Sequence, residues 1–149
     1  MTAIVEWDDH EVLMALQHLR DSVGNLSPAL RDIGDQLKES TQKRFETYTG
    51  PDGVMWEANS DVTYDRKADR TGIPLTDYGT LGNTIDYQLL GNDGVQIGSP
   101  MEYAAMMQFG GTKEEFPNLW GDIPGRPFLG ISEQDKNDIL AIIQRHLNM

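Results

Sequence analysis

The chain has 149 residues, with 12 Lys and Arg against 24 Asp and Glu, and its formal net charge of -12 disfavours a broad phosphate-neutralising face. That length suits one domain with a single substantial core. The absence of cysteine removes disulfides, thiolate metal sites and cysteine nucleophiles together. No apolar run approaches the ~20 residues that cross a bilayer, and Met1 to Asp9 lacks a basic region followed by an apolar stretch. The expectation is a chain made in the cytoplasm, without a signal peptide or membrane span. Acidity is uneven: residues 1–61 carry -7 and residues 62–149 carry -5.

Val12, Leu13, Leu16, Leu19 and Val23 recur at three- and four-residue steps behind Asp8 and Asp9, which suit the positive end of a helix. This first helix ends near Gly24-Asn25. Ser27-Pro28 reads as an N-cap with proline at the first helical position, and Leu30, Ile33, Leu37, Thr41, Arg44, Phe45 and Tyr48 continue one face until Gly50-Pro51. The short link favours an antiparallel pair of helices sharing a core. Residues 50–82 are punctuated by Gly and Pro and read as an extended loop, a length that a compact domain keeps for a purpose such as reaching a neighbour.

Ile85, Tyr87 and Leu89 alternate with polar residues, Gly91-Asn92-Asp93-Gly94 turns, and Val95 and Ile97 alternate again, which predicts a β-hairpin. Ser99-Pro100-Met101-Glu102 has a capping-box pattern ahead of a short helix closed by Gly110-Gly111. Arg126-Pro127-Phe128-Leu129-Gly130-Ile131 reads as a short edge strand. Ser132, with Asp135 three residues on, opens a last helix striped by Ile139, Leu140, Ile143 and Leu147. The fold class is α+β: two N-terminal helices, a long central loop, an antiparallel sheet built on a hairpin, a short helix, and a C-terminal helix packed on the sheet.

Chemistry is sparse. His10, His18 and His146 lack ligand spacing, and His146 near a helix C-terminus gains from the helix dipole. There is no Gly-x-Ser-x-Gly elbow, and Gly110-Gly111-Thr112-Lys113 lacks P-loop spacing. Asp52-Gly53 and Asn92-Asp93-Gly94 fall short of a calcium loop. No catalytic residue, metal ligand or cofactor site emerges, and a non-enzymatic protein is the expectation. Trp56, Phe116 and Trp120 fall in predicted loops, where a large aromatic is either tucked onto the core or offered as an interface anchor.

Several segments in order resemble the phage virion morphogenesis family. The landmarks are Phe45 leading to Pro51-Asp52-Gly53 and Trp56, then Lys67, then Leu75-Thr76-Asp77-Tyr78-Gly79-Thr80-Leu81 ahead of Thr84-Ile85. They continue with Ile97-Gly98-Ser99, Tyr103-Ala104, Gln108-Phe109-Gly110 and Ile123-Pro124-Gly125-Arg126-Pro127-Phe128-Leu129-Gly130. Residues 1–25 carry none of them. The resemblance implies an assembly protein that completes the head-proximal end of a phage tail as a ring, sixfold by analogy. Its implied partners are copies of itself, tail tube, sheath or terminator proteins, and head-connector proteins, with no nucleic acid and no membrane. A tail terminator or head–tail connector is the alternative, and an acidic DNA mimic a remote one.

On this reading the interface candidates are Trp56, Lys67, Tyr78, Leu81, Tyr103, Trp120, Arg126, Pro127 and Phe128. Arg126-Pro127-Phe128 combines a planar donor fork, a fixed backbone and a large apolar ring. The competing reading makes Phe128 and Leu129 ordinary core residues, with Arg126 capping a local carboxylate.

Overall fold

A computed structural model describes residues 9–56, 82, 84–91, 94–100, 104–110, 114 and 125–148. Helix α1 (His10–Val23) starts where Asp9 Oδ1 accepts from the Val12 N–H at 3.0 Å, and ends at Gly24, whose φ of 77° lets its N–H close on Arg20 O. Helix α2 (Ser27–Thr47) is the 21-residue backbone of the fold. Its N-cap is Leu26 and makes no side-chain cap bond, so Ser27 lies one residue inside the helix it was expected to cap. Asn25 Oδ1 instead receives the Ser27 N–H at 3.0 Å. The far end stops earlier than Gly50-Pro51, at Tyr48, which adopts a left-handed φ of 59°.

Strands β1 (Asp86–Leu90) and β2 (Gly94–Gly98) form the expected antiparallel hairpin, with Tyr87 opposite Ile97 and Leu89 opposite Val95. The α+β class therefore holds. Helix α3 (Ala104–Phe109) is followed by Gly110 at φ 74°. Ser99 is buried, and its hydroxyl pairs with Thr84 Oγ1 at 2.7 Å across the base of the hairpin, while residues 101–103, where the predicted capping box would close, lie outside the described residues. Helix α4 (Glu133–Leu147) begins with a reciprocal capping box: Ser132 Oγ accepts from the Asp135 N–H at 2.9 Å, and Asp135 Oδ2 accepts from the Ser132 N–H at 3.0 Å.

Helices α1 and α2 run in opposite directions and share one core, as expected, but each lies directly against α4, and it is α2, not α4, that covers the hairpin. The reason is the division of α2 into two apolar faces. Leu30, Ile33 and Leu37 meet Leu19 of α1 and Ile139 and Ile143 of α4 in a first core, edged by Leu89, Val95 and Ile97 of the hairpin. Phe45 meets Trp56, Ile85, Ala104, Phe128 and Leu129 in a second, to which Ile97 also contributes. Gly34 sits where the hairpin approaches α2: a Cβ there would lie 2.4 Å from Tyr87 Cδ2. Only glycine lets the ring lie directly on the helix backbone.

Charged side chains tie the helix ends together. Lys136 of α4 reaches Asp9 at 2.9 Å and Glu11 at 3.2 Å, joining the start of α4 to the start of α1. At the other end of α4, Asp32 Oδ2 bonds His146 Nε2 at 2.6 Å and Arg145 Nη2 at 3.2 Å. Those bonds, His146 first, hold the Asp32 carboxyl below the usual carboxylate range against its partial burial.

Candidate functional site

Residues 126–129 form no strand. Their backbone groups are taken instead by side chains from three separate parts of the chain, which satisfies a buried segment without a sheet. Gln108 Oε1, on α3, accepts from the N–H groups of both Phe128 (3.0 Å) and Leu129 (2.9 Å), and its Nε2 donates to Leu129 O at 3.2 Å. Two convergent N–H donors fix which end of that amide is oxygen. Arg44 Nη1, on α2, donates to Phe128 O at 2.7 Å, and Trp56 Nε1 donates to Pro127 O at 2.8 Å. The Arg126 N–H completes the set on Met107 O at 2.9 Å.

Arg44 is held in turn. Its Nη2 donates to Asp135 Oδ2 at 2.6 Å, and Asp135 Oδ1 accepts from Ser40 Oγ at 2.5 Å. Both charges are buried, Arg44 6% and Asp135 2% exposed. Burial pushes the guanidinium below its usual value and the facing carboxylate opposes that, so the arginine remains a cation and a donor. One carboxylate thus caps α4 and anchors the arginine that grips Phe128 O.

Around this framework the rings pack. Phe45 stands edge-on to Trp56 with centroids 5.3 Å apart and tilted to Phe128 at 5.6 Å. Gly50 is pressed against Pro127 O, where a Cβ would lie 2.9 Å away, and Gly130 (φ 146°) against the Pro51 ring. The loop that begins at Gly50 is therefore seated on residues 127–130.

Of the nine candidates, Trp56, Arg126, Pro127 and Phe128 fall within the described residues, and the structure brings all four together. Phe128 is fully enclosed, and Trp56 and Arg126 are each 7% exposed, so these side chains face the interior of the subunit. The core alternative is the one that applies to Phe128 and Leu129. Pro127 alone of the four is exposed. Lys67, Tyr78, Leu81, Tyr103 and Trp120 lie outside the described residues, as does most of the predicted central loop, residues 57–81.

Sequence reasoning missed Gln108 and Asp135 as clamp residues and gave Arg44 no role. The signal available was an arginine on the apolar face of α2, between Thr41 and Phe45. It also missed the exposed apolar side chains Val54 (63%), Met55 (67%) and Phe109 (61%). Val54 and Met55 belong to the turn that seats on residues 127–130. Gly125 lies against the backbone of Phe109.

The buried charges of Arg44 and Asp135 are committed to one another, and among the described residues no group of three or more His, Asp or Glu side chains is placed to hold a metal ion. No described helix is long and apolar enough to cross a membrane. What fold and site define is a small α+β protein whose buried polar groups fasten residues 126–129 in place.

The chain belongs to the phage virion morphogenesis family, whose profile matches residues 7–148. It is 32% identical to the putative capsid assembly protein G of Escherichia phage Mu, over 94% of this chain and 95% of that one. It is 29% identical to the Mu-like prophage FluMu G protein 2 of Haemophilus influenzae, over 93% and 91% of the two chains. No solved structure matches it.

Proposed function

We propose that this protein is a non-enzymatic ring subunit that completes the head-proximal end of a phage tail and so prepares it to join the head. The observation that carries the reading is the clamp on residues 126–129. Three side chains from distant elements are spent on holding residues 126–129, with Pro127 outward and the exposed turn at Val54 and Met55 seated beside it. Pre-organised backbone with exposed apolar side chains is what a subunit contact uses, because ordering costs are met before binding. Membership in the virion morphogenesis family, and the capsid-assembly name of the phage Mu relative, support a role in particle assembly.

In this reading the contact is made by Pro127, Val54 and Met55, with Phe128 and Trp56 as buried props. A ring needs a heterologous contact, one patch against a different patch on the next copy, with sixfold closure the expectation. The partners are further copies, tail tube, sheath or terminator proteins on one side, and head-connector proteins on the other. A net charge of -12 suits docking on a basic partner ring, where charge complementarity selects the partner. A tail terminator or head–tail connector ring is the second reading, favoured by the same exposed segment.

Light scattering across concentration and salt, followed by electron microscopy of any oligomer, tests the proposal. A closed ring with a central opening, lost on Met55→Asp with folding intact, supports it. A monomer that stays unassembled when purified tails are added contradicts it.

A further inference from the structure

Two aspartates in this fold serve the same pair of purposes. Asp9 accepts from the Val12 N–H through Oδ1, which caps α1, and its Oδ2 stands 2.9 Å from Lys136 Nζ of α4. Asp135 accepts from the Ser132 N–H through Oδ2, which closes the cap of α4, and the same oxygen accepts from Arg44 Nη2 of α2. Each carboxylate therefore fixes the start of its own helix and holds a cation of another.

The two arrangements meet in the first turn of α4, where Asp135 and Lys136 are consecutive and the Lys136 N–H donates to Ser132 O at 3.0 Å. Lys136 reaches Asp9 and Glu11 at the start of α1, and Asp135 reaches Ser40 and Arg44 of α2. Arg44 in turn holds Phe128 O at 2.7 Å. A covalent path runs the same way, since only Gly130 and Ile131 separate Leu129 from Ser132. Ile131 packs on the first core and Leu129 lies in the second, so this link is tied to both.

We infer that residues 126–129 and the first turn of α4 open as one unit, and that the ion pairing of Lys136 at the start of α1 sets how often that unit opens. If the turn opened alone, Asp135 would leave Arg44 as a buried charge without its counterion, which is the costly way to break such a pair. The cheaper route takes both charges out together, and Phe128 O then loses its donor. Local opening in proteins proceeds in contiguous cooperative units of this kind. The start of α1 thereby becomes a control point for the segment that carries Pro127. In the ring reading that segment is the subunit contact, but the coupling belongs to the single chain and does not rest on that reading.

Residue-resolved native-state hydrogen exchange on the full chain tests the inference. The reporter amides are Phe128 and Leu129, held by Gln108, and Ser132 and Asp135, held by each other's side chains. Lys136→Met removes the ion pairs at a side chain that is 24% exposed, so the fold is retained. It is expected to speed exchange at all four amides by one common factor of at least about threefold. The Leu30 N–H, which donates to Leu26 O beside the first core, is expected to keep its rate. Lys136→Arg, which retains the cation, is expected to keep the parent rates at all five positions. Faster exchange at Ser132 and Asp135 with Phe128 and Leu129 unchanged overturns the joint opening. No change at any of the four, or an equal rise at Leu30, overturns the control by Lys136. The rates are compared at one protein concentration, so they report the coupling whether or not the chain forms a ring.

Discussion

Arg44 and Asp135 meet at 2.6 Å in the interior, and through that one contact the cap of α4 and the clamp on residues 126–129 become a single structure. Asp135 satisfies the first turn of its own helix with one set of bonds and the arginine of α2 with another. Arg44 divides its fork between that carboxylate and Phe128 O.

Removing one partner leaves the other as a buried, uncompensated charge, which costs about 3–5 kcal/mol. Arg44→Met is therefore expected to lower urea-unfolding stability by that amount. Replacing both, Arg44→Met with Asp135→Ser, is expected to cost less than the sum of the two single changes, a coupling that a double-mutant cycle measures directly.

Gln108→Leu keeps the volume but leaves the N–H groups of Phe128 and Leu129 without acceptors. Buried unsatisfied donors cost about 1–3 kcal/mol each, so a loss of roughly 2–6 kcal/mol is expected. Limited proteolysis localises the effect: new cleavage is expected at residues 126–130 before the rest of the chain becomes sensitive.

Phe128→Ala opens a cavity between Phe45 and the backbone of the clamp, and a stability loss of about 3–5 kcal/mol is expected for a ring with no exposure. A loss below 1 kcal/mol in urea unfolding would be incompatible with that burial.

Gly34→Ala raises intrinsic helix propensity by about 1 kcal/mol, yet its methyl would stand 2.4 Å from the Tyr87 ring. A net destabilisation of about 1–3 kcal/mol is expected from displacing the hairpin. In a Tyr87→Ala background the same change is expected to be neutral or stabilising, because the ring is gone. Thermal unfolding of the four proteins decides it.

The Asp32 carboxyl, held below its usual value by His146 and then Arg145, makes a pH-dependent contribution. A depressed folded-state value means the contribution is fully present above the unfolded value of about 3.8 and is lost as pH falls through the lower folded value. Stability of the parent and of Asp32→Asn is therefore expected to differ above the unfolded value and to converge as pH falls through the lower folded value. Because Asp32 is 42% exposed, the difference is a modest one and shrinks in high salt.

The sequence disclosed what local patterns encode. Asp9 and Ser132 announce α1 and α4 because a cap and its N–H lie within three residues. The hairpin is announced by alternation about a glycine-bounded turn. Residues 126–131 read as a strand because Phe128, Leu129 and Ile131 are apolar and extended. Their partners lie 20 to 84 residues away on Gln108, Trp56 and Arg44, and side chain-to-backbone bonds of that range leave no periodic trace. For the same reason α4 was assigned to the sheet: its apolar stripe shows that it packs, but not on what. The sequence left open whether Trp56 and Phe128 point inward or outward, since apolarity does not distinguish the two, and the structure turns both rings inward.

The central claim, that the protein closes the head-proximal end of the tail, is tested most directly by electron microscopy of particles carrying a labelled copy of the chain. The account predicts label at the head-proximal tip of the tail, and tails that fail to join heads when the protein is withheld and do so when it is added back. Label confined to the head shell, or normal joining of tails made without the protein, would contradict it.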